Sequence, residues 1–148
     1  MLKKIKAMLN HSKQEKTLDT GHDISVAVTA LMIEIIHSDD KLEDAEQLVM
    51  MKAVKERFNL SDADIQTLIK EAHEATSNAT DFHQFTSQIK DSYSTQERIA
   101  FLTDLWKIAM ADGFIDSYEE HLIRRIANLI GIYHGEFIQA KIDARENT

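Results

Sequence analysis

Residues 99–119 read IAFLTDLWKIAMADGFIDSYE, and the fold class follows from how this segment is patterned. Apolar residues recur every three or four positions, which predicts a helix over about 95–110 that is apolar around most of its circumference. Such a helix normally lies at the centre of a bundle. A polar, acidic turn follows it, and Ser117 with Glu120 has the spacing of a capping box that starts another helix. The segment therefore predicts a central helix, an acidic turn and a second helix in succession.

The same order of features recurs 73 residues earlier in the chain. Aligning the two segments brings carboxylates together at three positions, which are Asp39 with Asp112, Glu43 with Asp116, and Glu46 with Glu119. In both halves an apolar helix precedes the turn and two amphipathic helices follow it. This order predicts an internal duplication of a three-helix unit, related by a rough two-fold axis.

The rest of the chain also favours helices. There is no proline, there are only four glycines, and no segment alternates with period two. Further helices are predicted over about 24–38, 44–58, 61–75, 81–92, 117–130 and 134–145. Asp23 and Ser25 are expected to cap the first of them. Leu48, Ile142, Trp106 and the phenylalanines are expected to face the core.

These patterns predict an all-α fold, a compact bundle of about seven to eight helices. Residues 1–22 are expected to form a basic N-terminal segment, either a short amphipathic helix or partly disordered, and residues 23–145 the helical domain. Within the domain, repeat 1 covers about 24–75, a connecting helix about 81–92, and repeat 2 about 95–145.

Charge and composition exclude several classes of function. The net charge is −8, but residues 1–20 contain five lysines and two acidic residues, so the remainder carries −11. An acidic body repels phosphate backbones, so we expect no nucleic-acid partner. The longest apolar stretch, residues 26–36, is too short to span a bilayer, which needs about 20 residues, so no stable membrane insertion is expected. The absence of cysteine excludes thiolate chemistry and fits a cytoplasmic protein.

The repeated carboxylates are the residues best suited to chemistry. A tight helix–turn–helix brings each set of three together, and crowded carboxylates repel one another unless a cation neutralises them. Calcium and magnesium prefer such oxygen ligands. The predicted metal ligands are Asp112, Asp116, Glu119, Asp39, Glu43 and Glu46. The alternative is that these residues only cap helices and stabilise helix dipoles. Glu34 with His37, and His121 beside the second turn, are weaker ligand candidates.

The nonamer at residues 111–119, ADGFIDSYE, with a second copy at residues 38–46, SDDKLEDAE, resembles the signature of the tellurite-resistance TerB-like family. The resemblance covers about residues 23–145. It implies an all-α fold and a metal site at the six carboxylates named above. In the first copy Asp40 replaces the glycine of the signature and Ser38 its alanine, so the first site departs further from the family pattern.

Three functions are compatible with these observations. The leading hypothesis is a TerB-like module that binds a divalent cation and acts through a protein partner, in tellurite or stress response. The second is a purely structural or interaction domain without metal. The third is a metal-dependent hydrolase, but the sequence contains neither basic substrate clamps nor a poised base, so the chain is not expected to be an enzyme. A homodimer is compatible with the many apolar helix faces.

Overall fold

A computed structural model describes residues 21–36, 44–78 and 82–146 of the chain. Over these residues every regular element is a helix, so the all-α prediction is confirmed. The described helices are α1 over 21–36, α2 Asp44–Phe58, α3 Asp62–Asn78, α4 His83–Ser92, α5 Thr95–Ala109, α6 Ser117–Leu129 and α7 His134–Glu146. The internal two-fold duplication stays a prediction.

Two helices, α1 and α5, form the centre of the bundle. Between residues 24 and 36 all side chains of α1 are buried except Val26 and Glu34, which are half-buried. Helix α5 packs against α2, α6 and α7, and Trp106 on it is fully buried. The Trp106 ring meets the ring of Phe137 edge-on, with centroids 5.3 Å apart. The apolar circumference of both helices explains their position, because burial removes that surface from water.

Helices α2 and α5 run antiparallel. Near the end of α2, Arg57 forms an ion pair with Asp104 in the middle of α5. Earlier on α2, Val49 lines a cleft together with Ala111, which follows the end of α5. Residues nearer the start of α2 therefore lie beside residues nearer the end of α5. The start of α2 lies beside the turn at residues 110–116, from which α6 begins. We call this end of the bundle the acidic end.

Several predicted core positions are wrong. Leu48 is 67% exposed, and α2 instead buries Glu46, Met50 and Val54, which are four residues apart. Ile142 is 41% exposed, because α7 turns the face with Phe137, Ala140 and Ala144 inward. Phe114 is also exposed. These helices carry apolar residues on more than one face, and packing against neighbours selects the face that is buried.

Helix ends were predicted unevenly. Ser94 and Glu97 form a capping box at the start of α5. At α6 the capping residue is Asp116, and Ser117 is already the first helical residue, so the predicted cap is wrong. Ser25 lies inside α1, where its hydroxyl donates to the carbonyl of His22. Asp23 is also inside α1, so neither residue caps it.

Candidate functional site

The second acidic turn is held together by its own carboxylates. Gly113 adopts a φ of +83° and its amide donates to the carbonyl of Met110 at 2.8 Å, which closes the turn after α5. Asp112 Oδ1 accepts from the amide of Phe114 at 3.0 Å. Asp116 Oδ1 accepts from the amide of Tyr118 at 3.0 Å and caps α6. Both aspartates therefore stabilise the local backbone, the role that Asp often has in turns and at helix starts.

The two glutamates at the acidic end are placed differently. Glu46 is the third residue of α2 and Glu119 the third residue of α6. Glu46 is 0% exposed and Glu119 is 1% exposed, whereas Asp112 is exposed. Carboxylates are rarely buried, because removing one from water is costly unless hydrogen bonds or a cation compensate for the lost hydration. The two glutamates thus share a buried environment that the two aspartates of the turn do not have.

The structure thus brings four of the six predicted ligands, Glu46, Asp112, Asp116 and Glu119, to one end of the bundle. Among the residues that the structure describes, however, no group of three His, Cys, Asp or Glu side chains is close enough to hold a metal ion. The other two predicted ligands, Asp39 and Glu43, lie outside the described residues.

The weaker ligand candidates contribute little to this end of the bundle. His37, the predicted partner of Glu34, lies outside the described residues, and Glu34 itself is half-buried on α1. His121 is exposed on α6. A metal site built from these side chains therefore gains no support from the part of the chain that the structure describes.

A cleft between α2 and α5 leads to the acidic end. It has a volume of about 350 Å³. Val49, Ala53 and Met110 supply apolar walls, and two lysines and two carboxylates from the two helices line it as well. Val49 follows Glu46 by about one turn of α2 and Ala111 precedes Asp112, so the cleft ends close to both residues along the chain.

A buried ion pair that the sequence pattern does not predict lies at the other end of this cleft. Arg57 Nη2 donates to Asp104 Oδ2 at 2.5 Å, and the two side chains are only 15% and 19% exposed. Burial lowers the pKa of Arg57, but the hydrogen bond and charge of Asp104, helped by Tyr93, outweigh burial and raise this pKa above its usual value. Burial also raises the pKa of Tyr93, over which the guanidinium lies 5.9 Å from the ring centroid. Charged residues on an otherwise mixed helix face give no sequence signal for such a pair.

The described part of the chain has no helix that is both long enough and apolar enough to cross a membrane.

The fold and site together define a class, a small all-α module in which a central helix, α5, leads through an acidic turn into a further helix, α6. The chain belongs to the TerB family. The family model described as "Tellurite resistance protein TerB" matches residues 25–142, which is most of the chain. This match confirms the resemblance seen in the sequence. No curated protein and no solved structure matches the chain significantly.

Proposed function

We propose that this TerB-family module binds a divalent cation, calcium or magnesium, at its acidic end and acts there through a protein partner. The observation that carries the proposal is the burial of Glu46 and Glu119, each at the third position of a helix that begins at this end. The description of the family, tellurite resistance, suggests that the role belongs to tellurite response. A wider stress role and a cytoplasmic location are part of the same proposal.

The chemistry of the carboxylates supports cation binding. Calcium accepts six to eight oxygen ligands, and magnesium keeps several waters beside one or two carboxylates. Helices hold Glu46 and Glu119 in place before an ion arrives, which lowers the entropic cost of binding. Asp112 and Asp116 each use one oxygen for a backbone amide. An ionised carboxylate has about four acceptor positions, so these bonds leave capacity for an ion.

A second candidate function is an interaction domain without metal. The hydrogen bonds from the amides of Phe114 and Tyr118 favour it, because they give Asp112 and Asp116 a structural role. In this case Asp116→Asn changes the free energy of unfolding by less than about 1 kcal/mol, since Asn caps helices as well as Asp does. Calcium and magnesium then leave the stability unchanged.

The two candidates are separated by titrating the full chain with calcium or magnesium and following backbone amide signals by NMR. Cation binding predicts saturable shifts at the amides of Phe114 and Tyr118. The double variant Asp112→Asn with Asp116→Asn loses these shifts, and Glu119→Gln weakens the apparent affinity.

The matched control is Asp62→Asn, which removes a carboxylate that is 91% exposed at the start of α3. This variant should bind the cation like the unmodified chain. Absence of saturable shifts at millimolar ion, or equal loss of affinity in the Asp62 variant, would rule out a site at the acidic end.

A further inference from the structure

The cleft between α2 and α5 has the size and the lining of a binding site for a small molecule. Its volume of about 350 Å³ falls within the range of about 300–1,000 Å³ that is usual for ligand pockets. The lining residues recur every three or four positions from Val49 to Glu56 on α2, and from Asp104 to Ala111 on α5 and just after it. Each wall is therefore one face of a helix, held in place by the packing of the bundle.

Positive charge lies in the middle of this cleft. Lys52 on α2 and Lys107 on α5 both line it. Each is near the midpoint of its lining face, and because the two helices run antiparallel, the midpoints of the two faces lie opposite each other. Ammonium groups on opposite walls repel one another, and an anion between them removes this repulsion. The arrangement therefore favours a negatively charged ligand.

The two lysines are not neutralised by their surroundings. Lys107 is half-buried, and neither it nor Lys52 forms an ion pair within residues 21–36, 44–78 and 82–146. The charge of Asp104 is already met by Arg57, and Glu56 is exposed. These five residues carry three positive and two negative charges, so the cleft is locally cationic on a chain whose net charge is −8.

The polarity of the cleft changes along its length. Glu56 and Asp104 lie at one end, because Arg57, which follows Glu56, pairs with Asp104. Val49 and Met110 lie towards the opposite end, where both are half-buried. The order along the cleft is therefore carboxylates, lysines and apolar walls. A ligand whose anionic group lies at the lysines can place an apolar body against Val49 and Met110, away from the carboxylates.

We infer that this cleft binds a small amphipathic carboxylate, an organic acid with one ionised carboxyl group and a short apolar chain. The carboxylate would lie between Lys52 and Lys107, and the chain against Val49, Ala53 and Met110. Charge-assisted hydrogen bonds fix the orientation of the ligand, and burial of the chain adds affinity. The inference goes beyond cation binding at the acidic end and does not depend on it, because different side chains carry it.

The test is a titration of the full chain with hexanoate in buffer depleted of divalent metal, followed by backbone amide signals in NMR spectra. Saturable shifts are expected at the amides of Ala53, Lys107 and Met110. Hexanamide has the same length without the charge and should bind about tenfold more weakly, since it forms no charge-assisted hydrogen bond. Hexylamine carries the opposite charge and should not bind. From butyrate to hexanoate the affinity should rise by up to about fourfold per methylene.

Substitutions then test the two parts of the site. Lys107→Met keeps an apolar side chain without the charge, so it should weaken hexanoate binding about tenfold and leave hexanamide binding unchanged. The matched control is Lys55→Met on the same helix, because Lys55 is exposed and pairs with Asp62. This variant should bind hexanoate like the unmodified chain. Val49→Thr keeps the shape of the side chain but adds a hydroxyl, so it should reduce the gain in affinity per methylene.

Circular dichroism and thermal melting check that each variant is folded, and the comparison of hexanoate with hexanamide needs no variant. Three outcomes would overturn the inference: no saturable shifts at the cleft amides at tens of millimolar hexanoate, hexanamide or hexylamine binding as tightly as hexanoate, or equal loss of affinity in Lys55→Met. Saturable cation shifts at Phe114 and Tyr118 without hexanoate binding would refute this inference alone and leave cation binding standing.

Discussion

The ion pair between Arg57 and Asp104 should make a large contribution to stability, and Asp104→Asn tests it. The variant removes the negative charge with little change in volume, so Arg57 keeps a largely buried guanidinium without its counter-charge. Breaking a buried pair from one side costs about 3–5 kcal/mol. Because the two side chains keep 15% and 19% exposure, water can reach the guanidinium. We therefore expect a loss at or somewhat below the lower end of this range, about 2–3 kcal/mol.

The measurement is urea unfolding followed by the fluorescence of Trp106, the only tryptophan, which is fully buried. The control is Asp62→Asn, which breaks the exposed pair with Lys55 and should change the free energy of unfolding by less than about 0.5 kcal/mol. The double variant Arg57→Met with Asp104→Leu should recover most of the lost stability, since no buried charge remains unpaired.

A loss in Asp104→Asn no larger than the loss in Asp62→Asn would refute this reasoning. It would mean that the ion pair does not hold α2 against α5. The ion pair would then not be the contact that fixes the antiparallel register of α2 and α5, the register that places Glu46 beside the second acidic turn.

Two further predictions follow from the same packing. Burial raises the pKa of Tyr93 in the folded chain, so its neutral form adds stability that is fully present below the unfolded pKa of about 10 and is lost as pH rises through the folded pKa. The unfolding free energy of the unmodified chain should therefore approach that of Tyr93→Phe above a pH of about 10. Urea titrations of both chains at several pH values measure this difference, and a difference that does not change with pH would contradict the prediction. Gly131 follows the end of α6 with a φ of +77°, a left-handed conformation that is unfavourable for residues with a side chain. An added Cβ would also meet Arg98 Nη1 at 3.4 Å, so Gly131→Ala should destabilise the chain by about 1–2 kcal/mol. Gly135 lies inside α7, and an added Cβ there has nothing within 4 Å, so Gly135→Ala should instead stabilise the chain by about 0.5 kcal/mol. Thermal melting measures both variants, and melting temperatures that shift in the same direction would refute the argument.

Much of the fold could be predicted because apolar periodicity is a local property. The central positions of α1 and α5 follow from their apolar circumference, and the bounds predicted for the second helix agree with Asp44–Phe58. The prediction failed where a helix carries two partly apolar faces. Leu48 is exposed and Glu46 is buried on the same helix, although hydrophobicity alone ranks them the other way.

The candidate site could be predicted in part. Sequence comparison of the two halves selected the carboxylates, but it could not distinguish their environments. Asp112 and Asp116 bind backbone amides at the surface, whereas Glu119 points into the core beside the apolar face of α6. Burial depends on which neighbouring helices cover a side chain, and the residues of those helices are distant in the sequence.

The linear order of residues was sufficient to predict an all-α chain, its family and the acidic turn between α5 and α6. Helix periodicity, capping residues and turn residues act over only a few positions, so they can be read locally. Only the packed bundle determined that α2 runs against α5, that two glutamates are buried, and that Leu48 and Phe114 remain in solvent at the acidic end. These features depend on contacts such as Arg57 with Asp104, which join residues 47 positions apart. Their free energies become favourable only when the helices are assembled, so no local pattern encodes them.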